Sequence, residues 1–247
     1  MVSVEPGKDS GTFVDSLFST GVNLFQSTVV RVAVMIENKQ HPERRPLPSQ
    51  NLQRQLRELG LIPEQLWWGP MTLHTEMCQF VIAEIESRPP KRLLEVGSGT
   101  STAIFAALAE KYDFSVLSLE NHRKSIQYVR SILEGLPCSR RVTIQKCNFV
   151  RGMYPNGKKY RCYDADLEKT EGQFDFVFVD GPMESLVGRN GVLPLIIPYL
   201  SEDHRIYLDD IKRIERLCLE EWKRYFPNLI FEKCSAWGLG RIKVRRP

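Results

Sequence analysis

The sequence predicts a doubly wound α/β domain, on three observations. From Arg92 onward, apolar runs of strand length alternate with segments of helix length, the order that a sheet covered by helices on both faces requires. The stretch "RLLEVGSGTSTAIFAALAEKY", Arg92 to Tyr112, leads an apolar strand through glycines directly into a helix. A chain of 247 residues with 42% hydrophobic content suits one sizeable core with an appendage.

In order along the chain, Val22–Ile36 is the most apolar N-terminal stretch. It is too short to span a bilayer and is interrupted by Asn23, Gln26 and Arg31, so no transmembrane segment is expected. Val14, Leu17, Phe18, Phe25, Val29, Val32 and Ile36 fall near helical spacing, which predicts an amphipathic helix packed on the domain or on a second copy of the chain as a homodimer. Residues 38–51 carry three prolines and mixed charge and read as a linker, giving an N-terminal helical extension over 1–50 and a main domain over 51–247. A short helix is expected at Leu52–Leu59 and another at Met71–Ser87, after the Gly69-Pro70 turn and before Pro89-Pro90. Seven strands follow at Arg92–Val96, Ser115–Glu120, Arg141–Cys147, Phe174–Asp180, Arg205–Asp209, Leu229–Cys234 and Gly240–Val244. Helices fit Ser101–Tyr112, His122–Glu134, Val187–Leu200 and Ile211–Tyr225. The last two strands follow one another without a helix and predict an antiparallel hairpin at the sheet edge.

Charge and cysteine usage narrow the function classes. A net charge of +4 comes from basic residues spread among acids, with no clustered strip of the kind that nucleic-acid binding uses. The six cysteines form no CxxC pair and no zinc-spaced cluster with histidine, and read as reduced thiols of a cytoplasmic protein. The N-terminus lacks the basic and then apolar pattern of a secretory signal.

In open α/β sheets ligands bind beyond the carboxyl ends of the strands. There Gly97 and Gly99 permit a tight turn and close approach, while Ser101 and Thr102 open the next helix with backbone donors. A dinucleotide would set its pyrophosphate on that helix start, where Glu95 adds an unfavourable negative charge. S-adenosylmethionine has no phosphate and brings an ammonium and a sulfonium, which a carboxylate at Glu95 favours. Glu120, ending the second strand, is placed to accept hydrogen bonds from the ribose diol of an adenosine, a feature both ligands share. Asn148, after the third strand, is a candidate for the adenine amino edge, although asparagine also favours turns.

Together "LLEVGSGTS", Glu120 and "FDFVFVDGP" resemble the class I S-adenosylmethionine-dependent methyltransferases over most of Lys91 to Lys243. Ser101 stands where that family usually has a third glycine. The resemblance implies a Rossmann-like seven-stranded sheet of order 3-2-1-4-5-7-6 with the seventh strand antiparallel. It implies cofactor contacts from Glu95, Gly97, Ser98, Gly99, Ser101, Glu120, Asn148 and Asp180, and a transferable methyl group facing the ends of the fourth and fifth strands.

Asp180 ends the fourth strand, and Asp209 and Asp210 end the fifth, so three carboxylates are expected at one rim. Such oxygen ligands suit Mg²⁺, and the set is similar to that of metal-dependent small-molecule O-methyltransferases, with Asp180, Asp209 and Asp210 as the implied metal ligands. Many of those relatives have a histidine just after the fourth-strand Asp-Gly, where Pro182 and Met183 stand here, so metal dependence is left open. Without a metal, Asp180 or Asp209 is the candidate general base toward an acceptor hydroxyl. Each aspartate also fits an ordinary turn or helix cap. Tyr160 to Gly172 reads as a solvated loop, Arg189 as a partner of nearby acids, His74 as a helix-surface residue, and Trp67 and Trp68 as packing.

The sequence thus favours a methyltransferase acting on a hydroxyl of a small molecule, such as a sugar or phenolic metabolite. The alternatives are a methyltransferase acting on RNA or protein, an NAD(P)-dependent reductase disfavoured by Glu95, and an adenosine-binding subunit without catalysis.

Overall fold

The computed structural model describes residues 47–69, 72–154, 157–182, 189–209, 215–234 and 238–244. The amphipathic helix expected within residues 1–50 lies, up to residue 46, outside the described residues, as do Met71, Met183 and Asp210. Two helices precede the sheet: α1 (Gln50–Glu58), capped by the Ser49 hydroxyl and buried through Leu52 and Leu56, and α2 (Thr75–Ser87). The expected start of α2 at Met71 is too early, because Thr72 is held instead in a turn, its hydroxyl accepting from the Gly69 amide.

The alternating unit then runs β1 (Arg92–Val96), α3 (Thr100–Tyr112), β2 (Ser115–Glu120), α4 (Arg123–Leu133) and β3 (Val142–Lys146). After it come β4 (Phe149–Met153), β5 (Lys159–Tyr163), β6 (Phe174–Val179), α5 (Val192–Ile196), β7 (Leu200–Leu208), α6 (Glu215–Tyr225), β8 (Leu229–Lys233) and β9 (Gly240–Val244). β4 and β5 form a separate antiparallel hairpin, whereas Tyr160 to Gly172 reads in the sequence as loop. α5 is shorter than expected, and Pro198 lies in a 3-10 turn over Ile197–Tyr199 that leads into β7. β7 begins five residues earlier than expected, through the polar Ser201–Asp203 that shows no apolar alternation.

The main sheet has the order β3-β2-β1-β6-β7-β9-β8, with β9 antiparallel to both β7 and β8. Counting only its seven strands, this is the expected 3-2-1-4-5-7-6. The parallel strands are buried on both faces, so neighbouring residues feed opposite cores. Leu93, Val116, Phe176, Phe178 and Tyr207 pack with α2, α3 and α4, and Phe105 of α3 meets Phe176 and Phe178 edge-on at 6.4 and 5.4 Å. Leu94, Val96, Val177, Val179, Ile206 and Leu208 pack on the other face with Val192, Leu193 and Ile196 of α5 and Leu219 and Trp222 of α6. No described helix is long and apolar enough to cross a membrane.

Candidate active site

Register brings the predicted site residues to one edge. Val96 lies opposite Leu119 and Val179, and Val179 opposite Leu208. The residues one step further, Gly97, Glu120, Asp180 and Asp209, are therefore level at the carboxyl ends of β1, β2, β6 and β7. Backbone bonds continue the ladder past the strands: Gly97 N–H to Leu119 O, Asp180 N–H to Val96 O and Asp209 N–H to Val179 O, each 2.9 Å.

Glu95 shares a sheet face with Leu93, the face that α3 covers. Its carboxylate is wholly buried and accepts three hydroxyl hydrogen bonds of 2.6 Å, from Ser101 on one oxygen and from Thr102 and Ser118 on the other. Burial pushes its pKa up to about 7 against the pull of these donors. Glu95 thus fastens the first turn of α3 to β1 and β2. With the carboxylate ionised, Ser118 spends its proton on Glu95, so the 2.7 Å contact between Ser98 and Ser118 has Ser98 as donor.

Gly97 has φ +99°, and a Cβ there would stand 2.8 Å from Gly181 N and 2.9 Å from Gly181 Cα. Glycine is required at this position by the neighbouring Asp180-Gly181 turn, not by the space of a ligand. Gly99 is the opposite case: its extended backbone accepts any residue, and a Cβ there would meet nothing within 4 Å. The open space of the loop is at Gly99.

The loop amides are partly used internally. Ser98 N–H donates to Glu120 Oε2 at 2.8 Å, Gly99 N–H to Thr102 Oγ1 at 2.9 Å, and Thr102 N–H to Gly99 O at 3.1 Å. Thr102 is therefore not the open donor that its place at the helix start suggests. The amides of Thr100 and Ser101 are the first-turn donors that α3 does not consume itself. Glu120 is buried, takes His122 N–H on its other oxygen at 2.6 Å, and has its pKa raised by burial. With Asn121 N–H as a third backbone donor, the carboxylate still keeps acceptor capacity for an incoming hydroxyl. Asn148 is exposed, and its side-chain amide donates to Asp164 at 3.1 Å, leaving its Oδ1 as the acceptor an adenine amino group would need.

At the rim, Asp180 is partly exposed and Asp209 is buried. Between them lies a residue whose place the sequence alone does not disclose. Arg189, 4% exposed, donates to the carbonyls of both, to Asp209 O at 3.2 Å and to Asp180 O at 2.8 Å, and lies 3.5 Å from the Asp180 carboxylate. From α2, buried Cys78 comes within the field of both aspartates, which add to burial in pushing its thiol up. Among the described residues no group of three or more histidine, cysteine or acidic side chains is placed to hold a metal ion. Asp210, the third expected ligand, lies outside them.

The segment before α2 borders the loop. Thr100 Oγ1 donates to Trp67 O at 2.8 Å, and Tyr128 of α4 accepts from Trp67 N–H at 2.5 Å. The Trp67 ring is exposed, whereas Trp68 is buried and donates to Pro63 O. His74 precedes α2 and bonds Glu76 at 2.7 Å on the surface.

No protein-family model and no curated protein matches this chain. Solved structures do. SAH-bound methyltransferase PaMTH1 from Podospora anserina is 17% identical with a TM-score of 0.53, over 100% of both chains. Cofactor-bound Rv0187 from MTB is 16% identical with a TM-score of 0.56, over 87% of this chain and 97% of that one. An O-methyltransferase from Bacillus cereus in complex with SAH is 15% identical with a TM-score of 0.51, over 86% and 97%. Taken with the sheet order, these similarities show that the chain has the Rossmann-like fold of the class I S-adenosylmethionine-dependent methyltransferases.

Proposed function

We propose that the protein is an S-adenosylmethionine-dependent methyltransferase that modifies a hydroxyl oxygen of a small molecule. The observation that carries this reading is the level placement of Gly97, Glu120, Asp180 and Asp209 on one sheet edge, with open space at Gly99. The residues fit the cofactor. Glu120 would take the ribose hydroxyls, Asn148 Oδ1 the adenine amino group, and the Thr100 and Ser101 amides a carboxylate. When bound, the cofactor supplies an electrophilic methyl carbon on a sulfonium. Asp209 and Asp180 stand where an acceptor hydroxyl would be oriented, and one of them takes its proton as the oxygen becomes nucleophilic. Glu95 acts here through the loop it fastens.

A phosphate-bearing dinucleotide fits less well, since the buried carboxylate of Glu95 lies directly beneath the helix start where its pyrophosphate would sit. An O-methyltransferase among the similar structures supports oxygen as the acceptor atom. All six cysteines are free and five are buried, which supports a reducing, cytoplasmic setting.

Calorimetric titration of the full chain with S-adenosylhomocysteine and, separately, NADH tests the reading. Micromolar binding of the first alone is expected; binding of NADH alone, or of neither, would refute it.

A further inference from the structure

The expected metal site does not fit the residues that the rim presents. A divalent cation held by carboxylates needs oxygens whose negative charge is not already matched. Here Asp180 lies 3.5 Å from the guanidinium of Arg189, which also donates to the main-chain carbonyls of Asp180 and Asp209. Those carbonyls close the ends of β6 and β7, so Arg189 ties the two strand ends together at the rim that carries both aspartates. It is also 4% exposed, a charge kept out of water by construction. A dication on the same oxygens would stand beside a fixed positive charge in a poorly hydrated place, where repulsion is weakly screened.

We infer that the acceptor rim works without a divalent metal, the buried guanidinium of Arg189 being its resident cation. Arg189 is a positioning residue: it fixes both strand ends and keeps its guanidinium 3.5 Å from the Asp180 carboxylate beside the acceptor. The acceptor class narrows with it. A bound metal would draw together two neighbouring acceptor oxygens, whereas a carboxylate braced by a guanidinium needs only one hydroxyl. The assignment to methyl transfer rests on the proposed function; the exclusion of metal rests on Arg189 alone.

The test is a titration of the full chain with Mn²⁺, followed by electron paramagnetic resonance, with and without S-adenosylhomocysteine. No saturable site filled below roughly millimolar Mn²⁺ is expected in the wild type, and the affinity for S-adenosylhomocysteine should change less than about twofold between Mn²⁺ and EDTA. Arg189→Lys, which keeps a charge, should behave likewise. Arg189→Met should acquire Mn²⁺ binding at least about tenfold tighter than the wild type, and Asp180→Asn added to it should remove that binding. Wild-type Mn²⁺ binding that Asp180→Asn abolishes would overturn the inference, as would a folded Arg189→Met that gains none. If Arg189→Met does not fold, the wild-type titration with its Asp180→Asn control decides alone. Failure of S-adenosylhomocysteine to bind would strike the proposed function instead, leaving the metal result to be read independently.

Discussion

Glu95→Gln isolates the cost of the buried carboxylate beneath the glycine loop. In the folded chain this carboxyl titrates at about 7 instead of 4.5, because burial outweighs three hydroxyl donors. The folded state therefore holds a proton that the unfolded chain has released between these two values. Stability from this group is complete below pH 4.5, falls as pH rises toward 7 and is level above, a loss of about 3 kcal/mol in all. Glutamine has the shape of the protonated acid and does not titrate. Its amide must donate, and the Thr102 or Ser118 hydroxyl oxygen can turn to accept, so the exchange costs about 1 kcal/mol at low pH. Urea unfolding of wild type and variant at pH 5 and pH 8 measures the effect, and the stability gap should move by about 2–3 kcal/mol in favour of the variant at the higher pH. Glu76, Glu110 and Asp166 are shifted downward and cancel in the comparison, whereas Glu120, itself shifted upward, is part of the effect, since its charge adds to the Glu95 shift. A gap constant within about 0.5 kcal/mol would refute the reasoning, since Glu95 would then ionise as freely folded as unfolded.

Three further outcomes are expected. Gly97→Ala, at φ +99° and against the Gly181 backbone, should lose about 2–4 kcal/mol in urea unfolding, whereas Gly99→Leu should lose less than about 1 kcal/mol yet weaken S-adenosylhomocysteine binding at least tenfold. Unchanged affinity in Gly99→Leu would put the cofactor elsewhere. Asp209→Asn should keep S-adenosylhomocysteine affinity within about threefold and lower kcat on phenolic or sugar acceptors by about 100-fold or more, followed by methyl transfer from labelled cofactor; joint loss of both would make Asp209 structural. Tyr154→Phe and Trp222→Phe each remove a donor to the Asn190 carbonyl; the first should cost about 1 kcal/mol and the second about 2–3 kcal/mol, because it also leaves a cavity at a fully buried site, and the double variant should depart from additivity. Additive losses would mean that the two side chains do not share one anchor.

The parallel sheet was legible because its strands are continuous apolar runs, and their carboxyl ends fall on one edge by topology alone. Gly97, Glu120, Asp180 and Asp209 could therefore be grouped without coordinates. What each does there depends on partners far away in the chain. Glu95 reads as a counter-ion for a ligand, but its donors include Ser118 on the neighbouring strand, and only the register of β1 against β2 brings the two side by side. Arg189 pairs with acid as expected, yet its bonds to two main-chain carbonyls have no signature in side-chain types. The β4–β5 hairpin is a different kind of miss. Asn156-Gly157 is a hairpin signal, but Arg151, Lys158, Lys159 and Arg161 give the flanking runs the polarity of a solvated loop. Its burial comes from aromatic packing instead: Tyr154 stacks on Tyr225 of α6 with ring centroids 4.0 Å apart and meets Tyr160 edge-on.

The two glycine motifs are one structural device. A Cβ on Gly97 would strike Gly181, and a Cβ on Gly181 would come within 2.7 Å of Gly97 Cα and 3.1 Å of Val96 O. The loop that ends β1 and the turn that ends β6 thus meet backbone to backbone, closer than side chains allow. The Asp180 N–H bond to Val96 O lies beside this contact. The loop after β1 is tied on its other flank to Glu120 through Ser98 and beneath to Glu95 through Ser101 and Thr102. The turn after β6 is tied to β7 through Arg189. A chain of direct contacts therefore runs from Glu120, the proposed ribose partner, to Asp209, the proposed proton acceptor, with two glycines at its centre. In-line transfer needs donor and acceptor held to a fraction of an ångström. That makes Gly181 as stringent a position as Gly97: Gly181→Ala should move the rim relative to the loop and lower kcat on a hydroxyl acceptor while the chain still binds S-adenosylhomocysteine. An unchanged kcat in a folded Gly181→Ala would show that the two halves of the cleft are set independently.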